Sequence, residues 1–299
     1  MADPILVAAR LVQYAAAAIL FGLPAFRLYG LSTATRAAER GLLAGAATAL
    51  PLGALLALSR QAAGMTGDPA AATDPSAWWD VATATQVGHA LGFRVAAGLA
   101  CLAILLWAGR SGAVWRSVAV VAGAAMASFA WSGHGAAGEG PVGAVQLVAD
   151  VVHLLAAGLW LGALAGLSLA AASAEFRTAP GRAALTAALE GFSGIGSALV
   201  AALLATGLVN GWILVTPAKL PNLLQTAYGA LLAAKLGLFA VMLACAALNR
   251  FRLTAALRAT AGDSGPALAP LRANLFVETV CGAGVLALVA LFGLLAPGM

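Results

Sequence analysis

Two of the chain's three histidines lie in one stretch, from Trp131 to Gly162, together with two carboxylates and two tryptophans. Imidazole is a common transition-metal ligand, and a carboxylate beside it orients the ring and raises its basicity. Asp150 and His153 are three residues apart, so on a helix they are neighbours on one face, with Trp160 seven residues further along that face. Only 9% of the residues are charged, so such a polar cluster is rare here. We therefore expect this stretch to carry the function.

The elements that position these residues are membrane helices. The chain is 62% hydrophobic with a mean hydropathy of +0.96, whereas a soluble domain is usually about 25% charged. A helix crosses the hydrocarbon layer of a bilayer with roughly 20 apolar residues. The sequence predicts an all-α bundle of eight transmembrane helices in a single membrane domain over residues 1–299. The predicted spans are approximately 5–28, 41–59, 87–108, 113–132, 145–171, 191–215, 224–248 and 274–296.

The positive charges predict the orientation of the bundle. Most of the sixteen lysines and arginines fall on one side if the first helix begins outside, and cytoplasmic loops are the ones that retain positive charge. We therefore expect both termini in the periplasm and a multi-pass protein of the inner (cytoplasmic) membrane. The basic residues are spread over short loops, which argues against a nucleic-acid partner. The first apolar stretch lacks the features of a cleaved signal peptide and is expected to remain as a helix.

All three histidines fall on the predicted outer side. His89 begins the third span, His134 follows the fourth, and His153 lies two turns into the fifth. Met126, a little over two turns deeper than His134, adds a possible thioether. Imidazole with thioether suits copper, whereas Mg²⁺ or Ca²⁺ would need more oxygen ligands.

The predicted metal ligands are therefore His134, His153, His89, Asp150 and Met126, with Met65 in the long outer loop from Gln61 to Gln86 as a further candidate. That loop also carries Trp78 and Trp79, which predict an interfacial element. The alternative, in which the histidines only satisfy helix ends, stays open.

Three further charged residues lie inside predicted spans, where a charge is costly and usually faces the bundle interior. Arg94 is expected either to neutralise the carboxylate beside His153 or to face a haem propionate. Lys235 is expected to pair with a carboxylate or with backbone carbonyls. Glu278 is expected to pair with Arg272 or Arg250 as a structural lock.

Several chemistries are not supported by the sequence. Cys101, Cys245 and Cys281 lie within apolar stretches, so we interpret them as packing residues without a disulfide framework. There is no nucleotide-binding glycine loop in a strand-to-helix setting and no nucleophile elbow. Nucleotide-driven pumping and hydrolysis therefore have no support, and we do not expect an enzyme.

A set of short motifs resembles the copper resistance protein D family. The motifs are SGH at 132–134, HLLAAGLWLG at 153–162, TG at 206–207, TAYG at 226–229 followed by Lys235, the pair Asn249–Arg250, and the spacing from Arg272 to Glu278. The likeness is specific from about residue 120 onward and rests on topology before that. It implies an eight-helix inner-membrane protein that moves copper from the periplasm towards the cytoplasm, with His134 and His153 as candidate ligands. The first span carries Gln13 and Tyr14 where a further ligand would be expected.

The favoured hypothesis is a copper permease embedded in the lipid bilayer. His134 and His153 receive the ion, Asp150 holds the imidazole, and His89 or Met126 completes the site. A periplasmic copper chaperone is a possible partner, and copper supply for oxidase assembly is a variant of the same role.

Two other classes remain open from the sequence. In a haem b electron-transfer protein, His89 and His153 would clamp one iron from different helices. A structural or assembly protein would use no metal at all.

Overall fold

A computed structural model describes residues 3–30, 36–107, 112–133, 138–215, 223–259 and 268–294. Over these residues the regular structure is entirely helical. It includes a short 3₁₀ helix, Pro69–Thr73, and a π-helical turn, Asn249–Leu253. The helices are α1 Pro4–Tyr29, α2 Arg36–Thr66, α3 Pro75–Ala84, α4 Gln86–Trp107, α5 Gly112–Ala127, α6 Gly140–Ala172, α7 Ala179–Leu214, α8 Ala227–Leu248, α9 Thr254–Ala259 and α10 Leu268–Phe292.

Eight of the described helices are long and apolar enough to cross a membrane. They are α1, α2, α4, α6, α7, α8, α10 and the segment Gly112–Ser132, in which a 3₁₀ helix continues α5. This confirms the eight-span prediction. Several helices are longer than the predicted spans. α7 has 36 residues, about 54 Å at 1.5 Å per residue, against roughly 30 Å of hydrocarbon. Because a helix satisfies its own backbone hydrogen bonds, it continues beyond the apolar segment that reveals it in the sequence.

The long loop between the second and third spans contains an ordered element. α2 continues to Thr66, and the 3₁₀ helix and α3 follow it. Asp68 and Asp74 begin these two segments, since their carboxylates accept hydrogen bonds from the backbone N–H of Ala70 and Ser76. Trp79 is 70% exposed, as expected for an aromatic residue at a membrane boundary.

α1 crosses α6 at a contact made by glycines. A Cβ on Gly162 would lie 2.1 Å from the backbone carbonyl carbon of Gly22, and a Cβ on Gly22 would lie 2.1 Å from the carbonyl oxygen of Gly158. Neither position tolerates any side chain, because the obstructing atoms are backbone. Small residues spaced four apart allow membrane helices to approach this closely. This crossing joins α6 to the helix that also packs against α2, α5 and α10.

The same segment of α6 presents a second, different face. Gly162 is nine residues beyond His153, about two and a half turns, so the two lie on opposite faces. Trp160 is seven residues beyond His153, about two turns, and lies on the same face as His153. The glycine face of α6 therefore packs against α1 and leaves His153 and Trp160 directed towards the C-terminal helices.

The C-terminal helices leave a cleft. Within the described residues α7 packs on α6 and α8 packs on α10, whereas α7 and α8 have almost no contact with each other. A cavity of about 270 Å³ lies between them, bordered by Trp160, Glu278, Asn249 and Arg250 and otherwise mainly by apolar side chains.

Replacing Gly162 with alanine is expected to destabilise the protein by about 2 kcal/mol or more, because the new methyl group meets backbone that cannot move aside. Gly45→Ala in α2 is the matched control, since a Cβ there meets no atom within 4 Å. Thermal unfolding in detergent, followed by size-exclusion chromatography, measures both variants. Equal transition temperatures for the two variants would contradict the assigned crossing.

Candidate functional site

A cluster of polar residues lies where α6 packs against α7, inside the membrane-spanning segments, with a lysine of α8 that acts on it electrostatically. Its members are Asp150 and His153 of α6, Thr206 and Asn210 of α7, and Lys235 of α8. We call these five residues the Asp–His cluster. Polar groups at this depth are expensive and are usually functional.

The hydrogen bonds of His153 fix its tautomer. Its Nδ1 lies 2.9 Å from the Thr206 Oγ1, and that hydroxyl donates its only proton to the carbonyl oxygen of Ala202 at 2.6 Å. Thr206 Oγ1 must therefore accept a hydrogen bond from His153 Nδ1–H. The lone pair of a neutral imidazole is then on Nε2, the arrangement that suits a metal ligand.

Gly207 leaves space beside the ring. A Cβ at this position would lie 3.8 Å from His153 Cε1, in ordinary van der Waals contact. Cε1 is bonded to both ring nitrogens, so a larger residue at 207 would cover the ring edge next to Nε2. The TG motif therefore has two separable roles, in which Thr206 holds the ring and Gly207 keeps its edge accessible.

The sequence predicted that Asp150 holds the imidazole of His153, but the structure gives both residues other partners. Its Oδ1 accepts a hydrogen bond from Asn210 Nδ2 at 3.4 Å, while Thr206 occupies the Nδ1 of His153. Lys235 interacts electrostatically with both Asp150 and His153. Lys235 thus acts on Asp150 at a distance, and none of the ion pairs among the described residues joins the two. The Oδ1 of Asn210 is buried without a hydrogen-bond partner, which leaves one acceptor in the cluster unused.

α6 is longer at its N-terminal end than predicted. It begins at Gly140 rather than at residue 145, so His153 is more than three turns from the start of the helix, about 20 Å at 1.5 Å per residue.

Three of the other predicted ligands, His89, Met126 and Met65, lie within the described residues, and none of them is beside His153. His89 is exposed, and its Nε2 lies 2.9 Å from the carbonyl oxygen of Thr83, at the junction of α3 and α4. Met126 is 1% exposed and packs beside Gly158 in the core between α1, α5 and α6. Met65 is exposed near the end of α2. His134 lies outside the described residues.

The described part of the chain contains no group of three His, Cys, Asp or Glu side chains that could hold a metal ion. The Asp–His cluster supplies one imidazole, His153, and one carboxylate, Asp150. The five-residue ligand set expected from the sequence therefore stays a prediction, and His134 falls in the part not described.

Arg94 has a structural role different from either expectation. It is 2% exposed, donates to Gln13 Oε1 at 2.7 Å and to Ser128 Oγ at 3.0 Å, and also binds the Ser132 hydroxyl. Its guanidinium lies 4.0 Å from the centre of the Phe129 ring. The prediction that Arg94 neutralises the carboxylate beside His153 was wrong, because this network holds it between α1, α4 and the end of α5.

Glu278 also has different partners from those expected. Trp160 Nε1 donates to its Oε1 at 2.9 Å, and Asn249 Nδ2 donates to its Oε2 at 3.1 Å. Arg272 instead donates to the carbonyl of Ala171, and Arg250 binds Ser197. The predicted arginine lock is therefore wrong. The sequence did indicate that His153 and Trp160 share one face of a helix. It contains no pattern that pairs Trp160 with Glu278, 118 positions away.

Comparisons with known proteins identify the family of the chain. The profile described as "Copper resistance protein D-like, N-terminal domain" matches residues 1–144, and the profile "Copper resistance protein D" matches residues 186–292. Copper resistance protein D of Pseudomonas syringae pv. tomato is 31% identical over 314 aligned residues, which cover 100% of this chain and 99% of that protein. The chain belongs to the copper resistance protein D family.

A second relative of this chain matches over a shorter region. Copper transport protein CutJ of Bacillus subtilis (strain 168) is 34% identical over 131 residues, 44% of this chain and 23% of CutJ. No solved structure matches the chain. The family assignment confirms the resemblance found in the motifs and extends it to the first 120 residues, where the motifs alone were not specific.

The proposed tautomer of His153 can be measured directly. In ¹⁵N-histidine NMR spectra, which contain only three histidines, His153 is expected to carry its proton on Nδ1. Thr206→Ser keeps the hydroxyl and is expected to keep this tautomer, whereas Thr206→Val removes the acceptor and is expected to produce a mixture. His153→Gln assigns the signal. An Nε2-protonated His153 in the wild type would disprove the hydrogen-bond direction given above.

Proposed function

We propose that this chain is an inner-membrane copper transport protein that moves copper from the periplasm towards the cytoplasm. The observation that supports it most strongly is the hydrogen bond between His153 Nδ1 and Thr206, which leaves the Nε2 lone pair available within a membrane span. The names of the relatives, copper resistance protein D and copper transport protein CutJ, supply the metal. Imidazole is a suitable ligand for copper.

The charge balance of the Asp–His cluster suits transport better than storage. Conduction requires binding that is strong enough for entry and weak enough for release. Lys235 already offsets the charge of Asp150, so an arriving copper ion shares this carboxylate with an ammonium group. We propose that this competition keeps the occupancy of copper at His153 transient.

The proposed direction follows from the positive charges of the loops and the position of the cluster. The excess of basic residues on one side favours a periplasmic location for both termini. His153 is nearer to the beginning of α6 than to its end, and the beginning of α6 is then the periplasmic end. His134, in the segment before α6, is the proposed entrance ligand, and a periplasmic copper chaperone is the proposed donor.

The haem alternative receives no comparable support. It requires His89 and His153 to face one another, whereas His89 is exposed and hydrogen bonded to Thr83. We therefore propose transport of copper rather than electron transfer or catalysis.

Copper uptake into proteoliposomes tests the proposal. His153→Ala is expected to slow uptake by about tenfold or more, since the loss of even an outer-sphere partner of a metal ligand costs 10–100-fold in affinity. His89→Ala is the matched control and is expected to retain the wild-type rate. Wild-type uptake by His153→Ala would reject the proposal. A Soret band that shifts on reduction of the purified protein would reject it in favour of haem.

The roles of Asp150 and Lys235 can be separated by a double-mutant cycle. Asp150→Asn and Lys235→Met each leave one charge uncompensated within the membrane and are expected to cost about 2–3 kcal/mol of stability. The double variant is expected to recover most of this stability but not copper uptake, because the carboxylate remains absent. Thermal unfolding in detergent and proteoliposome uptake measure the two effects. Additive losses of stability would show that the two charges are not coupled.

A further inference from the structure

A second unusual cluster lies where α8 faces α10. It contains Met242 and Cys245 of α8 and Glu278 and Cys281 of α10, and all four side chains are buried. We call Met242, Cys245 and Cys281 the sulfur cluster. The transport site proposed above does not use it, and the sequence analysis interpreted its cysteines as packing residues.

Three contacts set the register of the two helices. Asn274 Nδ2 donates to the carbonyl oxygen of Cys245 at 2.8 Å. One turn further along α10, Glu278 accepts the hydrogen bond from Asn249. Beyond that, a Cβ on Gly282 would lie 3.6 Å from Met242 Cε. These contacts lie along one face of each helix, because residues three, four and seven apart share a face.

This register places the two cysteines on facing surfaces. Cys245 lies between Met242 and Asn249 on its helix, and Cys281 lies between Glu278 and Gly282 on the other. Cys245 interacts electrostatically with both Glu278 and Cys281. Both cysteines are free thiols. The third cysteine, Cys101, is different, since it is buried in the separate core of the N-terminal helices with the carbonyl of Val118 as its polar neighbour.

The carboxylate beside the sulfur cluster distinguishes it from ordinary core packing. Buried cysteines often behave as small hydrophobic residues, but that role does not require a charged neighbour. Glu278 is 3% exposed, and its two hydrogen-bond donors, Trp160 and Asn249, are both neutral. None of the ion pairs among the described residues includes it. A negative charge held inside a membrane span favours the presence of a cation nearby.

The sulfur cluster also lies on the course expected for the ion. Trp160 is seven residues beyond His153 on the same face of α6, about 10 Å deeper, and it contacts Glu278 directly. Glu278 and Asn249 border the cavity between α7 and α8. Arg250 crosses from the end of α8 to Ser197 of α7 at the edge of this cavity. The cluster thus lies between His153 and the opposite side of the membrane.

We propose that Cys245 and Cys281, with Met242 as a thioether ligand, form a Cu(I) site through which copper passes after His153. Thiolate and thioether ligands select Cu(I), which accepts low coordination numbers. The described residues contain no group of three His, Cys, Asp or Glu side chains that could hold a metal ion. The proposed site does not require such a group, because its third ligand is a methionine. Before copper binds, Glu278, held by Trp160 and Asn249, provides negative charge that attracts the cation, and it is not itself a ligand.

Binding of Cu(I) at this site involves no change of oxidation state and needs no electron donor. Copper enters the site as Cu(I), one bond forms to each sulfur, and each thiol loses its proton. Glu278 accepts one proton, and the other leaves through the adjoining cavity. The inference rests on the proposed copper transport and adds to it the oxidation state of the ion and a second site.

Competition for Cu(I) tests the site in the purified full-length protein. Cu(I), supplied anaerobically as its acetonitrile complex, is titrated against a chromophoric Cu(I) chelator. Cys245→Ser and Cys281→Ser are each expected to weaken Cu(I) binding by about tenfold or more, while Cys101→Ser, the matched buried control, retains wild-type affinity. X-ray absorption of the wild-type complex is expected to show sulfur ligands. This measurement does not depend on how well the variants fold.

The outcome is distinguishable from that of the transport proposal. His153→Ala is expected to lose uptake and to retain sulfur-bound Cu(I). Copper coordinated only by nitrogen and oxygen in the wild type would overturn the sulfur site even if proteoliposomes take up copper. Wild-type affinity in both Cys245→Ser and Cys281→Ser would also overturn it. Sulfur-bound Cu(I) in a protein that moves no copper would support the site and reject the transport function.

Discussion

The close crossing of α1 and α6 at Gly22, Gly158 and Gly162 is the constraint on which the rest of the arrangement depends. Lipid provides no hydrophobic drive for helices to associate, so close packing of small residues has to hold them together. At this crossing the backbones touch without intervening side chains. Because the glycines occupy one face of α6, the opposite face is fixed at the same time. The positions of His153 and Trp160 follow directly from that orientation.

α6 lies between two unlike groups of helices and packs against both. On one side, α1, α2, α4 and α5 form an apolar core that is tied together by the Arg94 network. On the other side, α7, α8 and α10 carry Thr206, Lys235 and Glu278. The two family profiles match residues 1–144 and 186–292, so most of α6 falls between them. The central helix thus joins two regions that the profiles treat separately.

The sequence predicted what depends on one helix at a time. Apolar length identified the eight spans, and helical periodicity placed His153 and Trp160 on one face. It did not predict the partners, because periodicity contains no information on which helix faces which. Thr206, 53 residues from His153, and Gln13, 81 residues from Arg94, are examples. The true length of α6 was also missed, since a helix does not end where its apolar segment ends.

Charged residues of opposite sign lie within the spans on the two sides of α6, Arg10 and Arg94 on the N-terminal side and Asp150 and Glu278 on the C-terminal side. Arg10 and Arg94 interact in the N-terminal group, and neither forms an ion pair with a described carboxylate. Asp150 and Glu278 lie on the C-terminal side of α6, where Lys235 offsets only one of them. At an effective dielectric constant of 20, two unit charges 10 Å apart interact by about 1.7 kcal/mol, more than a tenfold change in occupancy. A cation would therefore be disfavoured beside the arginines and favoured beside the carboxylates, which supports the proposed route of copper along α6, α8 and α10.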